Sequence, residues 1–583
     1  MSRPASPTNS YQSAQDDFEK QNKLSTEISS TSQQAKPPGP SGGSPDSQYA
    51  PRSTKFWIIM LCNYLSLFLV ALDRTIITTA IPRITDEFNS LGDIGWYGSA
   101  YMLASAISQP LFGRIYKFYD VKWVFLSNAV LFEAGSALCG AAPNSKAFIA
   151  GRAIAGFASA AIFSGSMLIV IPLVPLHKRP MFQAVNGMIF GVASVLGPLI
   201  GGGFTDGATW RWCFYINLPI GAVSWTFMAL VWHPEKSKRE PASIATHVKR
   251  LDPLGMSLLA PSVVCLLLAL QWGGSTYDWD SGRIVALLVV FGVLFLAFVA
   301  VQVWKPETAT IPARIIKQRS IISTAVYILS VYSTMMMLIY YIPIWFQTVK
   351  LVSPVKSGIY TIPLVLSLVV SGFISGFMTQ KIGYYVPAMY ICPCMLAVGT
   401  GLMSTFTIST GSSHWIGYQF ICGFGLGFGT QNASLVIQRI LPMNDIPIGF
   451  SLLLLLQQLG GAVFTCVGDT VLNNVLISQL AGVPGIDVNE IVDQGITDLA
   501  SVVPVQYMIV VQEAYNKACT RIFLACMGLT LVGAVSSLGL EWKSIKKGKN
   551  GQGPGNGPIE KAVSSDVNGK EDMEERKEGD VEK

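Results

Sequence analysis

A ladder of apolar runs fills this chain from Phe56 to Leu540, and each run is about long enough to cross a bilayer. A hydrocarbon core of about 30 Å takes roughly 20 helical residues at 1.5 Å rise each. Fourteen runs can be drawn: Phe56–Ile76, Ile94–Ile115, Trp123–Ala141, Ala147–Val170, Phe182–Gly202, Trp212–Val231, Leu254–Trp272, Ile284–Trp304, Ile321–Phe346, Gly358–Thr379, Val386–Phe406, Trp415–Ile437, Gly449–Ile477 and Ile522–Leu540. A soluble fold cannot expose that much apolar surface. The expected class is an all-α polytopic membrane protein.

Charged residues make up 13% of the chain, against about 25% in soluble domains. They gather in the two tails and the short loops, so the net charge of +6 does not point to nucleic acid. All ten cysteines fall within or at the edge of the apolar runs, which argues against a disulfide scaffold. Cys392-Pro-Cys394 lacks the spacing of zinc ligands, and no metal is expected. No phosphate-cradling loop is present, so ATP is not the expected energy source, and neither an enzyme nor a cofactor is expected. Residues 1–54 are rich in Ser, Gln and Pro with no apolar leader, and read as a disordered tail ahead of an uncleaved first span. Residues 542–583 open with a basic cluster (Lys543, Lys546, Lys547, Lys549) and read as a second disordered tail.

Loop charge sets the expected orientation. One set of loops carries Arg114, Lys117, Lys122, Lys178, Arg179, Lys236, Arg239, Lys249, Arg250, Arg314, Lys317, Lys381 and Arg439. The opposite set is poorer in cations and richer in acids such as Asp86, Glu87, Asp278 and Asp487. The basic set is expected in the cytoplasm, with both tails, and 478–518 forms the long outside loop.

A weak internal repeat suggests two halves. Gly113 opens the expected turn after segment 2, and Gly376 that after segment 10. Ile154-Ala155-Gly156-Phe157 resembles Ile421-Cys422-Gly423-Phe424, and Leu196-Gly197 resembles Leu459-Gly460, at nearly one common offset of eight segments. Two six-segment halves (55–232 and 321–541) with two segments inserted between them (233–320) explain the offset. Parallel halves rocking about a central site are the design of alternating access.

Four motifs carry a resemblance. Segment 1 holds Leu72-Asp73-Arg74-Thr75-Ile76, and segment 4 holds Gly151-Arg152-Ala153-Ile154-Ala155-Gly156. Segment 5 holds Gly191-Val192-Ala193-Ser194-Val195-Leu196-Gly197-Pro198-Leu199-Ile200-Gly201-Gly202. Segment 6 opens Trp210-Arg211-Trp212-Cys213-Phe214-Tyr215-Ile216-Asn217-Leu218-Pro219. Together they resemble the fourteen-helix drug–proton antiporters of the major facilitator superfamily, and most closely the fungal branch that exports mycotoxins and other secondary metabolites. The resemblance implies the major facilitator fold and a proton-coupled efflux transporter; the plasma membrane is the expected place, with a vacuolar or vesicle membrane as the alternative, and a monomer the expected state. It marks Gly191, Gly197, Pro198, Gly201 and Gly202 as a gating element, since glycines admit close helix approach and Pro198 removes one backbone hydrogen bond. The loop after segment 2 departs from the family pattern: Lys117 stands at the acidic position and Asp120 at the second glycine.

Charges within apolar runs are costly, about 2.5–3.5 kcal/mol at a helix centre. Asp73 and Arg74 are expected near the outer end of segment 1, Glu133 midway along segment 3, and Arg152 early in segment 4. Asp73 and Glu133, with Arg152 as their positive partner, are the proton-coupling candidates. Each also has a structural reading, as a helix anchor or a hydrogen-bonding group. Asp469 lies deep in segment 13. Gln109, Asn186, Tyr340, Gln431, Gln457 and Asp469 are candidates to line an apolar cavity dotted with polar groups. The expected partners are a small amphipathic organic compound, protons and lipid. Uptake, as by a siderophore carrier, and a non-transporting nutrient receptor are the alternatives.

Overall fold

The computed structural model describes residues 51–546 apart from 52, 91–92, 235–245, 247–249, 275–276, 306–307, 482 and 484–504. Helices are the natural state of these apolar runs, because a helix satisfies its backbone hydrogen bonds internally and lipid offers none. In chain order they are α1 Thr54–Phe88, α2 Ile94–Phe118, α3 Val121–Gly140, α4 Ser145–Leu173 and α5 Arg179–Gly207. Next come α6 in two pieces (Trp212–Tyr215, Asn217–Val231), α7 Pro253–Trp272, α8 Gly282–Trp304 and α9 Arg319–Val349. The last are α10 (Pro354–Tyr360, Ile362–Ile382), α11 Val386–Met403, α12 (Ser412–Gly429, Asn432–Ile440), α13 Ile446–Leu480 and α14 Met508–Ser537. Among the described residues, thirteen spans are long and apolar enough to cross a membrane. The fourteenth, α2, has 25 residues and is more polar, with Gln109, Arg114 and Tyr116 buried among its neighbours.

Several expected boundaries move. The first helix runs on from Ile76 to Phe88, because the polar residues that mask it bond back to their own helix: Thr78 to the Thr75 carbonyl, Thr79 to Ile76 and Thr85 to Ile81. It stops at Asn89, whose left-handed φ of 49° is a usual helix ending. Asp73 and Arg74 therefore lie mid-helix, not near an outer end. Gly113 and Gly376 are helical; the turn after α10 is made by Gly383, at φ 87°. The last helix begins at Met508, fourteen residues before the expected Ile522, so the loop expected over 478–518 is shortened at both ends. Its early turns hide polar residues that bond to other helix ends, Gln512 to the Val349 carbonyl and Asn516 to that of Phe406.

The tail expected over 1–54 lies outside the described residues except for Pro51, Ser53 and Thr54, the last already in α1. The second tail starts ordered: the Ile545 N–H donates to the Gly383 carbonyl, and Trp542 lies 6.0 Å from the Tyr384 and Tyr390 rings. Its remainder from Lys547 lies outside the described residues.

Helices α1–α6 form one bundle, in which α1 lies against α5 and α6 while α4 joins α2 and α3. Helices α9–α14 form the other, with α9 against α13 and α14, and α12 against α10 and α11. The bundles meet along two seams, α2 with α13 and α5 with α10. The inserted hairpin α7–α8 lies on the first seam, where Leu259, Val263 and Phe298 cover Ala106 and Ile107 of α2 and Leu459 of α13.

Candidate functional site

The two halves of the Asp73-Arg74 dipeptide face different ways, as neighbours about 100° apart on a helix must. Asp73 points into the first bundle and is fully buried. Its Oδ2 accepts a 2.7 Å bond from Arg152 Nη1, and its Oδ1 accepts a 3.2 Å bond from Asn217 Nδ2. The same Asn217 amide reaches Ser136 Oγ at 3.1 Å. Arg152 is also buried: its Nε donates to the Tyr97 carbonyl at 3.0 Å, and its guanidinium lies 4.5 Å from the Tyr101 ring centre. A buried charge pair is held when both members are paired and hydrogen-bonded, and here both are.

Glu133 does not join this pair. Both its carboxyl oxygens are buried and take no hydrogen bond, and its side chain abuts Gly221 of α6. Sequence reasoning missed Asn217 as a member of the site, although it stands in the segment 6 motif quoted for the resemblance. The rest of that motif closes the loop end of the bundle: Trp210 Nε1 donates to Glu87 Oε2 at 2.6 Å, and Arg211 pairs with Glu87 Oε1 at 2.7 Å.

The glycine motif of α5 divides its contacts. A Cβ on Gly197 would collide with Thr75 Oγ1, and one on Gly201 with Thr79 Oγ1, so both glycines seat α5 on α1 beside Asp73. Thr75 completes the contact by donating to the Ala193 carbonyl at 3.0 Å. Gly191 faces the other bundle, where a Cβ would meet Val369 Cγ2 at 2.7 Å. A Cβ on Gly202 would meet nothing beyond its own helix within 4 Å. Helix α5 stays continuous through Pro198, which has no N–H to offer the Ser194 carbonyl.

The cavity candidates do not form one ring. Gln109 is buried within the first bundle, its Oε1 accepting from Ser164 Oγ at 3.0 Å. Asn186 is buried beside Met167, with its Oδ1 unbonded. Gln431 sits at the break in α12, opposite Gly187 of α5. Gln457 is half-buried on α13, next to Gln458, whose Oε1 lies 3.4 Å from Arg74 Nη1 across the gap between bundles. Asp469 lies inside the second bundle: the Tyr341 hydroxyl is 2.7 Å from both Asp469 Oδ1 and the Thr465 carbonyl. Tyr340 is half-exposed, its ring 5.1 Å from that of Tyr341.

At the end bearing the basic loops the bundles are locked together. Lys117 Nζ of α2 lies 2.9 Å from Asp445 Oδ1 at the head of α13, and Arg314 Nη1 holds the other oxygen of Asp445 at 2.9 Å. Arg179 Nη1 donates to Gln438 Oε1 at 2.8 Å, and Ser434 Oγ to Gln183 Oε1 at 2.7 Å. The unusual Lys117 thus finds its acid in the opposite bundle, a partner more than three hundred residues away that the local loop pattern cannot reveal. Arg114 grips the chain on either side of the inserted hairpin, donating to the carbonyls of Arg250, Thr308 and Ala309. Asp252 ties those strands together, accepting from Gln302 Nε2, the Gly255 and Thr310 N–H groups and the Thr310 hydroxyl. Burial pushes the Asp252 carboxyl up, but the bonds from Gln302, Thr310 and the two backbone N–H groups outweigh this and hold it below its ordinary value.

The family profile described as Major Facilitator Superfamily matches residues 64–465. The chain is 46% identical over 494 residues to the MFS-type efflux pump MFS1 of Arthroderma benhamiae, covering 84% of this chain and 92% of that protein. It is 46% identical over 501 residues to the rubrofusarin-specific efflux pump aurT of Gibberella zeae (86% and 92% covered). It is 44% identical over 505 residues to the efflux pump aflT of Aspergillus parasiticus (85% and 97%). Among solved structures, the human organic anion transporter MFSD10 superposes with a TM-score of 0.53 at 15% identity, covering 82% of this chain and 99% of that one, which speaks to the fold alone. With two bundles, an inserted hairpin, a matching profile over most of its length and these relatives, the chain belongs to the Major Facilitator Superfamily, in the branch that holds these fungal efflux pumps.

Proposed function

We propose that this protein is a proton-coupled efflux transporter that exports small amphipathic organic compounds by alternating access, with Asp73 and Arg152 as its coupling pair. The observation that carries the reading is the buried 2.7 Å ion pair between them, set mid-helix in the first bundle and beside the α1–α5 contact. For Asp73 to take a proton it must yield its bond from Arg152, and the freed guanidinium must find another acceptor. Protonation therefore changes how α1 and α4 hold each other. The same helix α1 bears Thr75 and Thr79 against Gly197 and Gly201 of α5, so a shift of α1 is passed to the helix that meets the second bundle. Gly191 and Gly202 belong to this moving element, and Pro198 leaves α5 one backbone bond short at its centre.

The basic end is read as cytoplasmic, which puts both tails inside, the membrane as the plasma membrane and the present state as closed toward the cytoplasm. The protein acts as a monomer. Gln109 and Asn186 on the first-bundle side and Gln431, Gln457, Tyr340 and Asp469 on the second-bundle side are the residues nearest such a path that we assign to substrate, and Glu133 is a separate protonatable group. Each pH unit supplies about 1.4 kcal/mol per proton, and each 100 mV about 2.3 kcal/mol per charge. Two pH units with 100 mV give about 5 kcal/mol, over a thousandfold gradient of a neutral compound at one proton each. Inside-out vesicles test the reading: uptake of a labelled export substrate should follow an imposed pH gradient without ATP and collapse with a protonophore. Uptake that follows ATP and ignores the proton gradient overturns it.

A further inference from the structure

We propose that Arg74 is an anion-binding anchor in the gap between the bundles, and that the transported compounds include organic acids whose carboxylate or phenolate docks on it. This rests on reading that gap as the transport path.

Position is the first ground. Arg74 lies about 30 Å along α1 from Thr54 and about 21 Å from Phe88, well inside the hydrocarbon thickness. A charge at that depth is expensive unless it is paired or faces a water-filled path. Arg152, at comparable depth, is paired with Asp73. Among the described residues Arg74 forms no ion pair.

Its hydrogen bonding is the second ground. A guanidinium carries five N–H donors. Among the described residues the side chain of Arg74 makes one bond, the 3.4 Å contact to Gln458 Oε1, longer than the usual range of about 2.7–3.2 Å. The side chain is half-buried, and among the described residues its remaining donors have no protein acceptor.

The surroundings complete the argument. Gln458 belongs to α13, so the guanidinium points from the first bundle toward the second. Gln457 lies beside it, and Gly461, one turn on, faces Tyr332 and Met336 of α9. A planar cation facing an amide, on a helix whose next turn meets an aromatic ring and a thioether, suits an aromatic acid: the fork of N–H donors takes the two oxygens of a carboxylate, or a phenolate and its neighbour, as an ammonium cannot. At one proton inward for each anion outward, a cycle moves two charges in the same electrical sense, so membrane potential drives an acid twice as strongly as a neutral compound.

The experiment uses the full-length purified protein in lipid nanodiscs, with 1-hydroxy-2-naphthoic acid and its methyl ester as probes and affinity read by tryptophan quenching. The wild type should bind the acid about ten- to hundredfold more tightly than the ester, the weight of one charge-assisted interaction. Arg74→Gln should erase that preference, and Arg74→Lys should keep only part of it. If Arg74→Gln does not fold, the partial loss in Arg74→Lys is the deciding readout. The proposal is overturned if the wild type shows no preference for the acid, including no binding of either probe, or if the Arg74 variants keep it in full. Flux separates this from the broader reading. Proton-driven export of the ester without an acid preference overturns the anchor and leaves efflux standing. An Arg74-dependent acid preference without proton-driven export does the reverse.

Discussion

Lys117 of α2 and Asp445 at the head of α13 meet at 2.9 Å, joining the two bundles where the basic loops lie. Asp445 also holds Arg314, so one buried carboxylate serves two cations. Asp445→Asn should loosen this end. On a background cleared of native cysteines, Gln183→Cys and Ser434→Cys, whose parent side chains touch at 2.7 Å, should cross-link readily. Adding Asp445→Asn should slow that cross-linking about tenfold, the weight of one charge-assisted bond. Unchanged cross-linking would show that the bond does not hold the closed end.

The Asp73–Arg152 pair sets the second expectation. Arg152→Ala leaves Asp73 buried without its cation and should abolish proton-driven export at normal surface level, with Arg152→Lys rescuing only part because an ammonium lacks the planar fork. Asn217→Ala removes the bonds to Asp73 and Ser136; the loss of the one to Asp73, about 1 kcal/mol, should reduce flux about fivefold. Glu133→Gln should leave the Arg152 dependence intact, since Glu133 does not touch the pair. Flux per molecule at the cell surface decides each case.

The α1–α5 contact gives a steric contrast. Gly201→Val drives a side chain into Thr79 and the Ile76 carbonyl and should stop export, while Gly202→Ala enters open space and should be tolerated. Equal flux in the two variants would remove the close approach of α5 to α1 from the mechanism.

Asp252 should act as an acid-sensitive brace. Its folded value is depressed, so its stabilisation is present above the ordinary Asp range, near pH 4, and is lost as pH falls through the lower folded value. Asn tolerates the left-handed φ of 51° found here, so Asp252→Asn isolates the charge from the backbone. The variant should melt below the wild type at neutral pH by an amount worth about 2 kcal/mol, and the difference should shrink in acid. Thermal melts in detergent across pH would show it, and a pH-independent gap would refute the charge-based account.

Topology has a direct check. Ser409, exposed between α11 and α12, lies at the end opposite the basic loops. Ser409→Cys should react with an impermeant maleimide in intact cells, and reaction only after permeabilisation would invert the orientation.

Apolar run length was enough to find every long helix, because twenty apolar residues have few other fates in lipid. Helix ends were not legible in the same way. Thr78, Thr85 and Gln512 look like loop residues until their bonds to helix backbone are seen, and this is why α1 and α14 run past the expected limits. The Arg152–Asp73 pairing could be anticipated because two opposite charges in neighbouring apolar helices must find each other. The joining of Lys117 to Asp445, and the turning of Arg74 away from Asp73, depend on how distant helices are placed. Neither leaves a local pattern to read.

The inserted hairpin lies along the α2–α13 seam and is bolted to α2 through Arg114, with Asp252 bracing the ends that Arg114 grips, while the α5–α10 seam has no such cover among the described residues. A compound dissolved in the bilayer therefore meets two unequal flanks. One is covered by two extra helices, and on the other α5 and α10 meet each other directly, Gly191 against Val369 and Gly376 against Pro180 and Ala184. For any cargo that enters sideways from the lipid, the α5–α10 flank is therefore the expected side, and the α2–α13 flank is not.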